Sequence, residues 1–205
     1  MWSEPTYIKA SNTDISDWFG TTLSLSGDGL TLVVAAPGED SAATAINGDE
    51  ADNSLSWVGA AYVFFKADGE WSQQAYIKAS NTDDSDNFGS SVSVSDDGNT
   101  LAIGAQSEDS ASAGINGAEN DNSVSQAGAV YLYSRSDGSW TQQAYIKASN
   151  PNTALFGYST SLSGDGHSLA VGAAGEDSDL SGIAVGIESG DDNEEAADSG
   201  AVYLY

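Results

Sequence analysis

Three successive stretches of about 69 residues follow one pattern, so whatever the chain folds into must be assembled from copies of a single unit. The hexapeptide YIKASN stands at Tyr7–Asn12, Tyr76–Asn81 and Tyr145–Asn150. A Phe-Gly pair follows each time, at Phe19-Gly20, Phe88-Gly89 and Phe156-Gly157, and Tyr62, Tyr131 and Tyr203 keep the same step. Units that cannot bury both their faces alone must stack on their neighbours, so one continuous repeat domain is expected over residues 1–205.

Each copy contains four β-like segments. In the second copy FGSSVSVS alternates apolar with small polar residues, as a half-buried strand does. An SDDG turn leads into the apolar run TLAIGA, and after a long acidic segment GAVYLYSR and WTQQAYIKA flank a second Asp-Gly turn. No window carries a helical period, and no run of about 18 apolar residues exists to cross a membrane. The fold class predicted is all-β: three four-stranded antiparallel repeats stacked as β-propeller blades, in units 19–79, 88–148 and 156–205. The third unit stops at AVYLY, one strand short, while residues 2–9 (WSEPTYIK) read as a fourth strand with no blade before it. Strand 2–9, from this or another chain, is therefore expected to complete the third blade. Propellers have roughly four to eight blades, so three are too few for a ring. A homodimer formed by strand exchange is expected, with membership of a longer propeller as the alternative.

Charge restricts the partners. Thirty-one Asp and Glu face five Lys and Arg, a formal charge of −26. Such a surface repels phosphate backbones and anionic lipid heads, which argues against nucleic-acid binding and against membrane attachment. Cations, basic proteins and neutral sugars are left. The chain has no cysteine, hence neither a disulfide framework nor a thiolate metal site.

The segments FGSSVSVSDDGNTLAIGA, FGTTLSLSGDGLTLVVAAPGEDS and FGYSTSLSGDGHSLAVGAAGEDS resemble the FG-GAP repeat of integrin alpha-subunit β-propellers and their bacterial relatives. The resemblance extends over essentially the whole chain. It implies a propeller used for binding, commonly in adhesion outside the cell, and does not imply catalysis. One departure stands out: many members carry a calcium loop of pattern D-x-D-x-D-G-x-x-D between their first two strands. Here that turn is only SGDG or SDDG, and Asp28, Asp97 and Asp165 read as turn formers.

In an up-and-down meander the loops after the second and fourth strands emerge at one end, and these loops hold most of the acids and neither Lys nor Arg. Within them INGDEADNS (46–54) recurs as INGAENDNS (115–123), whereas the third copy has IESGDDNEEAADS. Asn47, Asp49, Asp52, Asn116, Glu119 and Asp121 offer side-chain oxygens beside a Gly bend, and read either as a solvated loop or as a calcium site. Trp18 and Trp57 have no counterparts in the other copies and fall at the acidic end, as packing residues or as ligand anchors. Together with Asp49, Asp52, Glu119 and Asp121 they make up the expected ligand-binding set. Lys9, Lys78 and Lys147 precede acidic loops and are expected to act as exposed counter-charges worth about 0–1 kcal/mol each. His167 is the single histidine and sits beside a turn, so no triad or histidine metal site can be built on it.

The function expected is that of a non-catalytic binding module, secreted or at the cell surface, presenting its acidic loop face to a protein or glycan ligand, either with calcium as a cofactor or with none. The alternative is an assembly unit or spacer whose acidic loops keep it soluble. An enzyme is disfavoured, because paired carboxylates need an apolar wall to separate their pKa values and these loops supply little of one.

Overall fold

The computed structural model describes residues 4–183 and 196–205. Among these are eleven strands and no helix: β1 (Leu23–Leu25), β2 (Thr31–Ala36), β3 (Ala60–Ala67), β4 (Glu70–Ile77), β5 (Phe88–Val94), β6 (Thr100–Ala105), β7 (Ala129–Ser136), β8 (Ser139–Ile146), β9 (Phe156–Leu162), β10 (Leu169–Ala173) and β11 (Ala201–Leu204). They form antiparallel meanders, four-stranded in sheet 1 (β1-β2-β3-β4) and sheet 2 (β5-β6-β7-β8), three-stranded in sheet 3 (β9-β10-β11). This is the blade-like arrangement the repeat predicts. Residues 4–9, read from sequence as part of a strand, are not in a strand. The acidic stretch IESGDDNEEAADS lies outside the described residues up to Glu195.

The Asp-Gly turns form as the sequence predicts. Asp28 Oδ1 accepts hydrogen bonds from Ser26 Oγ (2.6 Å) and the Leu30 N–H (2.8 Å), and Asp97 and Asp165 repeat the arrangement. These bonds hold all three carboxyls below the usual range, so each is a turn-closing acceptor.

Sheets stack face to face, and every interface uses the same residues. Val33, Ala35, Ala61, Val63 and Ile77 of sheet 1 pack on Phe88, Leu101, Ile103, Tyr131 and Tyr145 of sheet 2. Val130 and Ile146, on the far side of sheet 2, pack on Phe156, Leu169 and Val171 of sheet 3. Each Phe of a Phe-Gly pair rests edge-on against its sheet's third-strand tyrosine, with ring centroids 5.3 Å apart for Phe88–Tyr131 and for Phe156–Tyr203. Burying one such ring contributes about 1.5–3 kcal/mol. Near the inner strands the backbones themselves touch. Gly59 and Gly128 have φ of +90° and +77°, and a Cβ on either would lie 2.0 Å from the carbonyl oxygen of Phe88 or Phe156 in the next sheet. Only glycine fits there.

One boundary differs from expectation. The first strand of sheet 1 was predicted to begin at Phe19, as β5 begins at Phe88, but β1 covers only Leu23–Leu25. Phe88 and Phe156 are held by donating to Val58 O (2.8 Å) and Ala127 O (3.1 Å) of the sheet before them. At the Phe19-Gly20 pair the Gly20 N–H still donates to Ala35 O of β2 (3.0 Å).

Candidate functional site

The loops at the acidic end are organised around a buried polar module that recurs in each sheet. Glu39, Glu108 and Glu176 follow the second strands and are almost wholly buried. Each accepts from an Asn of the incoming loop: Asn12 (3.1 Å), Asn81 (3.0 Å) and Asn150 (3.2 Å). That Asn in turn accepts from the third-strand tyrosine: Tyr62, Tyr131 or Tyr203, at 2.5–2.6 Å. Lys78 Nζ donates to Glu39 (2.7 Å) and Lys147 Nζ to Glu108 (2.5 Å), all four side chains at most 1 % exposed. This corrects the expectation that these lysines are exposed counter-charges. The end of the fourth strand passes beneath the acidic loop instead of beside it, so Lys and Glu meet out of water. Burial pushes both lysines down, and the adjacent glutamates pull them back. Asp86, at the foot of the same region, has its carboxyl pushed up to about 8 by burial and then by the charge of Glu108.

The six residues read as calcium ligands are all engaged in hydrogen bonds, some within their loops and some to neighbouring strands and loops. Asn47 pairs with Tyr76 like a strand residue, donating its N–H to Tyr76 O (2.7 Å) and accepting the Tyr76 N–H at Oδ1 (2.9 Å). Asn116 does the same with Tyr145. Asp49 accepts from Ala51 N–H (3.0 Å), Asp52 from Ala42 and Ser54 N–H (3.0 and 3.1 Å), and Asp121 from Ala111 N–H (3.1 Å). Glu119 accepts from Ser80 Oγ (2.5 Å) and Gln142 Nε2 (3.2 Å). Among the described residues no three His, Cys, Asp or Glu side chains gather into a metal-holding group. These donors do not fit a hard-cation cage of six to eight oxygens.

Trp18 and Trp57, by contrast, are brought together. Their rings meet edge to face with centroids 4.4 Å apart, and both stay substantially exposed. Each occupies the left-handed region, φ +57°, where a bulky residue is strained by about 1–2 kcal/mol. The loop geometry imposes this conformation at equivalent positions of every sheet. Asn87 and Leu155 take it where Trp18 stands, and Gln126 and Asp198 where Trp57 stands. Trp57 is further fixed by donating its N–H to Asp40 Oδ1 (2.8 Å), as Gln126 does to Asp109.

The two tryptophans open onto a cleft of about 340 Å³, whose other walls are Thr21, Pro37, Asn87, Ser90, Gln106 and Tyr158. All three repeats contribute, at the acidic end of the inner strands. Thr21, Pro37, Asn87, Ser90, Gln106 and Tyr158 were not singled out from sequence. Comparing copies marks one of them: Tyr158 follows Gly157 where Thr21 and Ser90 follow the earlier glycines. Two aromatic planes, a tyrosine, two amides and two hydroxyls suit a neutral, polar ligand with one apolar face.

The family described as FG-GAP repeat matches residues 2–64 and 71–133. Among curated proteins, no match to the chain is found.

Proposed function

The chain belongs to the FG-GAP repeat family, and we propose from that premise that it is a non-catalytic recognition module whose cleft at Trp18, Trp57 and Tyr158 grips a neutral glycan. FG-GAP repeats occur in adhesion- and recognition-type proteins, typically extracellular ones, and are generally non-enzymatic. The observation that carries the reading is the tryptophan pair. Two large aromatic side chains are held in strained backbone positions, half exposed, where the equivalent residues of the other repeats are Asn, Leu, Gln and Asp. Strained residues that stay exposed are kept for what they touch. Sugars offer C–H faces to stack on aromatic rings and hydroxyls for amides such as Asn87 and Gln106, and the surrounding acids disfavour anionic ligands.

A glycan array probed with the purified chain, followed by titration of the best neutral oligosaccharide against tryptophan fluorescence, tests this. Trp18→Ala and Trp57→Ala should each weaken binding more than tenfold, since truncating an aromatic anchor costs about 2 kcal/mol or more. Binding of no glycan, or binding indifferent to both substitutions, would leave the spacer role as the better account.

A further inference from the structure

Trp57 is held at the cleft by the loop that leads into the next Phe-Gly pair. Asn87 donates both its N–H (3.0 Å) and its Nδ2 (3.1 Å) to Trp57 O, the Ser85 N–H donates to Ser56 O (2.9 Å), and the Ser56 N–H donates to Asp84 Oδ1 (2.8 Å). These bonds fasten residues 84–87 to residues 56–57, where a bulky side chain stands at φ +57° and needs its surroundings to keep it there. The third copy shows how much of this clamp is general. There the Leu155 N–H donates to Gln126 O (3.1 Å), as Asn87 does to Trp57 O, but among the described residues the bonds of Asp84 and Ser85 have no equivalents at Asn152 and Thr153. The full clamp accompanies the tryptophan.

Asp86 seats this loop. The residue is 2 % exposed; its Oδ2 accepts the Asp83 N–H (3.0 Å), and its main-chain carbonyl accepts the Ser107 N–H (3.3 Å), next to Gln106 of the cleft wall. Around the carboxyl stand Asp83 on the same loop, Glu108 and Asp109 after β6, Lys147 just past β8, and the Tyr131 hydroxyl of β7. Lys147 is the one cation among them and already pairs with Glu108 (2.5 Å), so a charge on Asp86 would be buried and uncompensated. Burial, and then the charge of Glu108, push the carboxyl up to about 8, which keeps it a neutral acid at neutral pH. Packing alone does not require a carboxyl at this place. Ala154 occupies the equivalent position of the third copy and is fully buried.

We propose that Asp86 is a positioning residue for the cleft: its neutral carboxyl seats the 83–87 loop so that Asn87 and Asp84 hold Trp57, and its ionisation unseats them. The consequence, a ligand grip that weakens as the pH rises, rests on the cleft being the recognition site; the release of Trp57 itself needs no ligand. The seated loop keeps the proton up to about pH 8, whereas an unseated loop, with Asp86 in water, gives it up near the ordinary carboxylate value of about 4. Seating is therefore fullest below about pH 4, weakens with each pH unit between, and levels off above about 8. A cleft built this way holds its ligand in acidic and neutral surroundings and lets go in alkaline ones.

The tryptophan pair reports on its own geometry, since rings 4.4 Å apart give an exciton couplet in circular dichroism that Trp57→Ala should abolish. In the full chain without ligand, the couplet should shrink as the pH is raised from 6 to 9 while the strand signal stays constant. Asp86→Asn should hold it at one size across that range, and so should Asp86→Ala, which supplies the residue found at position 154 in case Asn disturbs the seat. Asp84→Ala cuts one clamp bond and leaves Asp86 in place, so it should weaken the couplet at every pH. A parent couplet indifferent to pH, or a pH change that persists in both Asp86 variants, overturns the proposal. So does a change abolished by Asp17→Asn instead, since Asp17 is the buried carboxyl beside Trp18. A neutral oligosaccharide taken from the array should bind at least about tenfold more weakly at pH 9 than at pH 6 in the parent, and equally at both in Asp86→Asn. If the couplet moves as stated and no oligosaccharide binds at any pH, the role of Asp86 stands and only the glycan reading falls.

Discussion

Replacing Lys147 by Met removes the cation from a carboxylate that has no access to water. Met matches the lysine stem in length and apolar character, so the packing of the fourth strand is kept and the change isolates the charge. Glu108 would retain Asn81 Nδ2 (3.0 Å), Tyr145 OH (2.8 Å) and the Ser110 N–H (3.2 Å), but lose the 2.5 Å ion pair with Asp86 still nearby. Breaking a buried pair from one side typically costs about 3–5 kcal/mol. Three surviving hydrogen bonds put the expected loss at the lower end, about 3 kcal/mol. Urea unfolding at pH 7, followed by tryptophan fluorescence and far-UV circular dichroism, reads it as a lower midpoint with unchanged slope. The second cycle member is decisive. Glu108→Gln keeps the acceptor for Asn81 and Tyr145 while removing the charge, so adding it to Lys147→Met should recover at least about 1 kcal/mol of the loss. A loss below about 1 kcal/mol, or a double variant weaker than Lys147→Met alone, would show that the pair is not what holds this loop.

Asp86, with its carboxyl raised to about 8, binds a proton more readily in the folded than in the unfolded chain, so its contribution to stability is full below about pH 4 and is lost as the pH rises through 8. Asp86→Asn should flatten that part of the stability–pH curve and raise the melting temperature at pH 9 relative to the parent; a curve of unchanged shape would contradict the burial of this group. Gly128→Ala places a Cβ 2.0 Å from Phe156 O at φ +77° and should cost about 3 kcal/mol or more, read as a lowered urea midpoint, whereas Gly138→Ala, with open space around its Cβ, should cost only about 1 kcal/mol from its φ of +78°. Alanine at Asp68, Asp137 or His167, in the turns at the opposite end, should leave glycan titrations unchanged.

The strand order and the turns were legible because alternation and Asp-Gly signals are local. The stacking was legible because three copies repeat the same apolar faces. The polar module was not. Lys78 and Lys147 look like surface residues when judged by type, and Glu39 and Glu108 look like two more acids on an acidic rim; only their burial against one another distinguishes them. A signal existed in the joint recurrence of YIKASN with the GEDS, SEDS and GEDS tetrapeptides at Gly38, Ser107 and Gly175. Asn47 and Asn116 misled for a related reason, since an amide that mimics a strand residue and an amide that offers a cation ligand have the same composition around them. Trp18 and Trp57 were visible as departures from the repeat, but their meeting at 4.4 Å depends on two loops folding toward each other, which no local pattern records.

The contact of Gly59 with Phe88 and of Gly128 with Phe156 is made between main chains, with almost no side chain between. Side-chain interfaces drift apart as sequences change, because each substitution on one face asks for another on its partner. A seam built from peptide groups makes no such demand. Each junction presents the same Phe-Gly carbonyls to the same glycine hollow, so the main-chain part of the seam fixes the register of neighbouring units whatever side chains flank it. Variation is then free to accumulate where the main chain does not dictate the residue, as at Trp18, Asn87 and Leu155, and the array can diversify what it holds without renegotiating how it is joined.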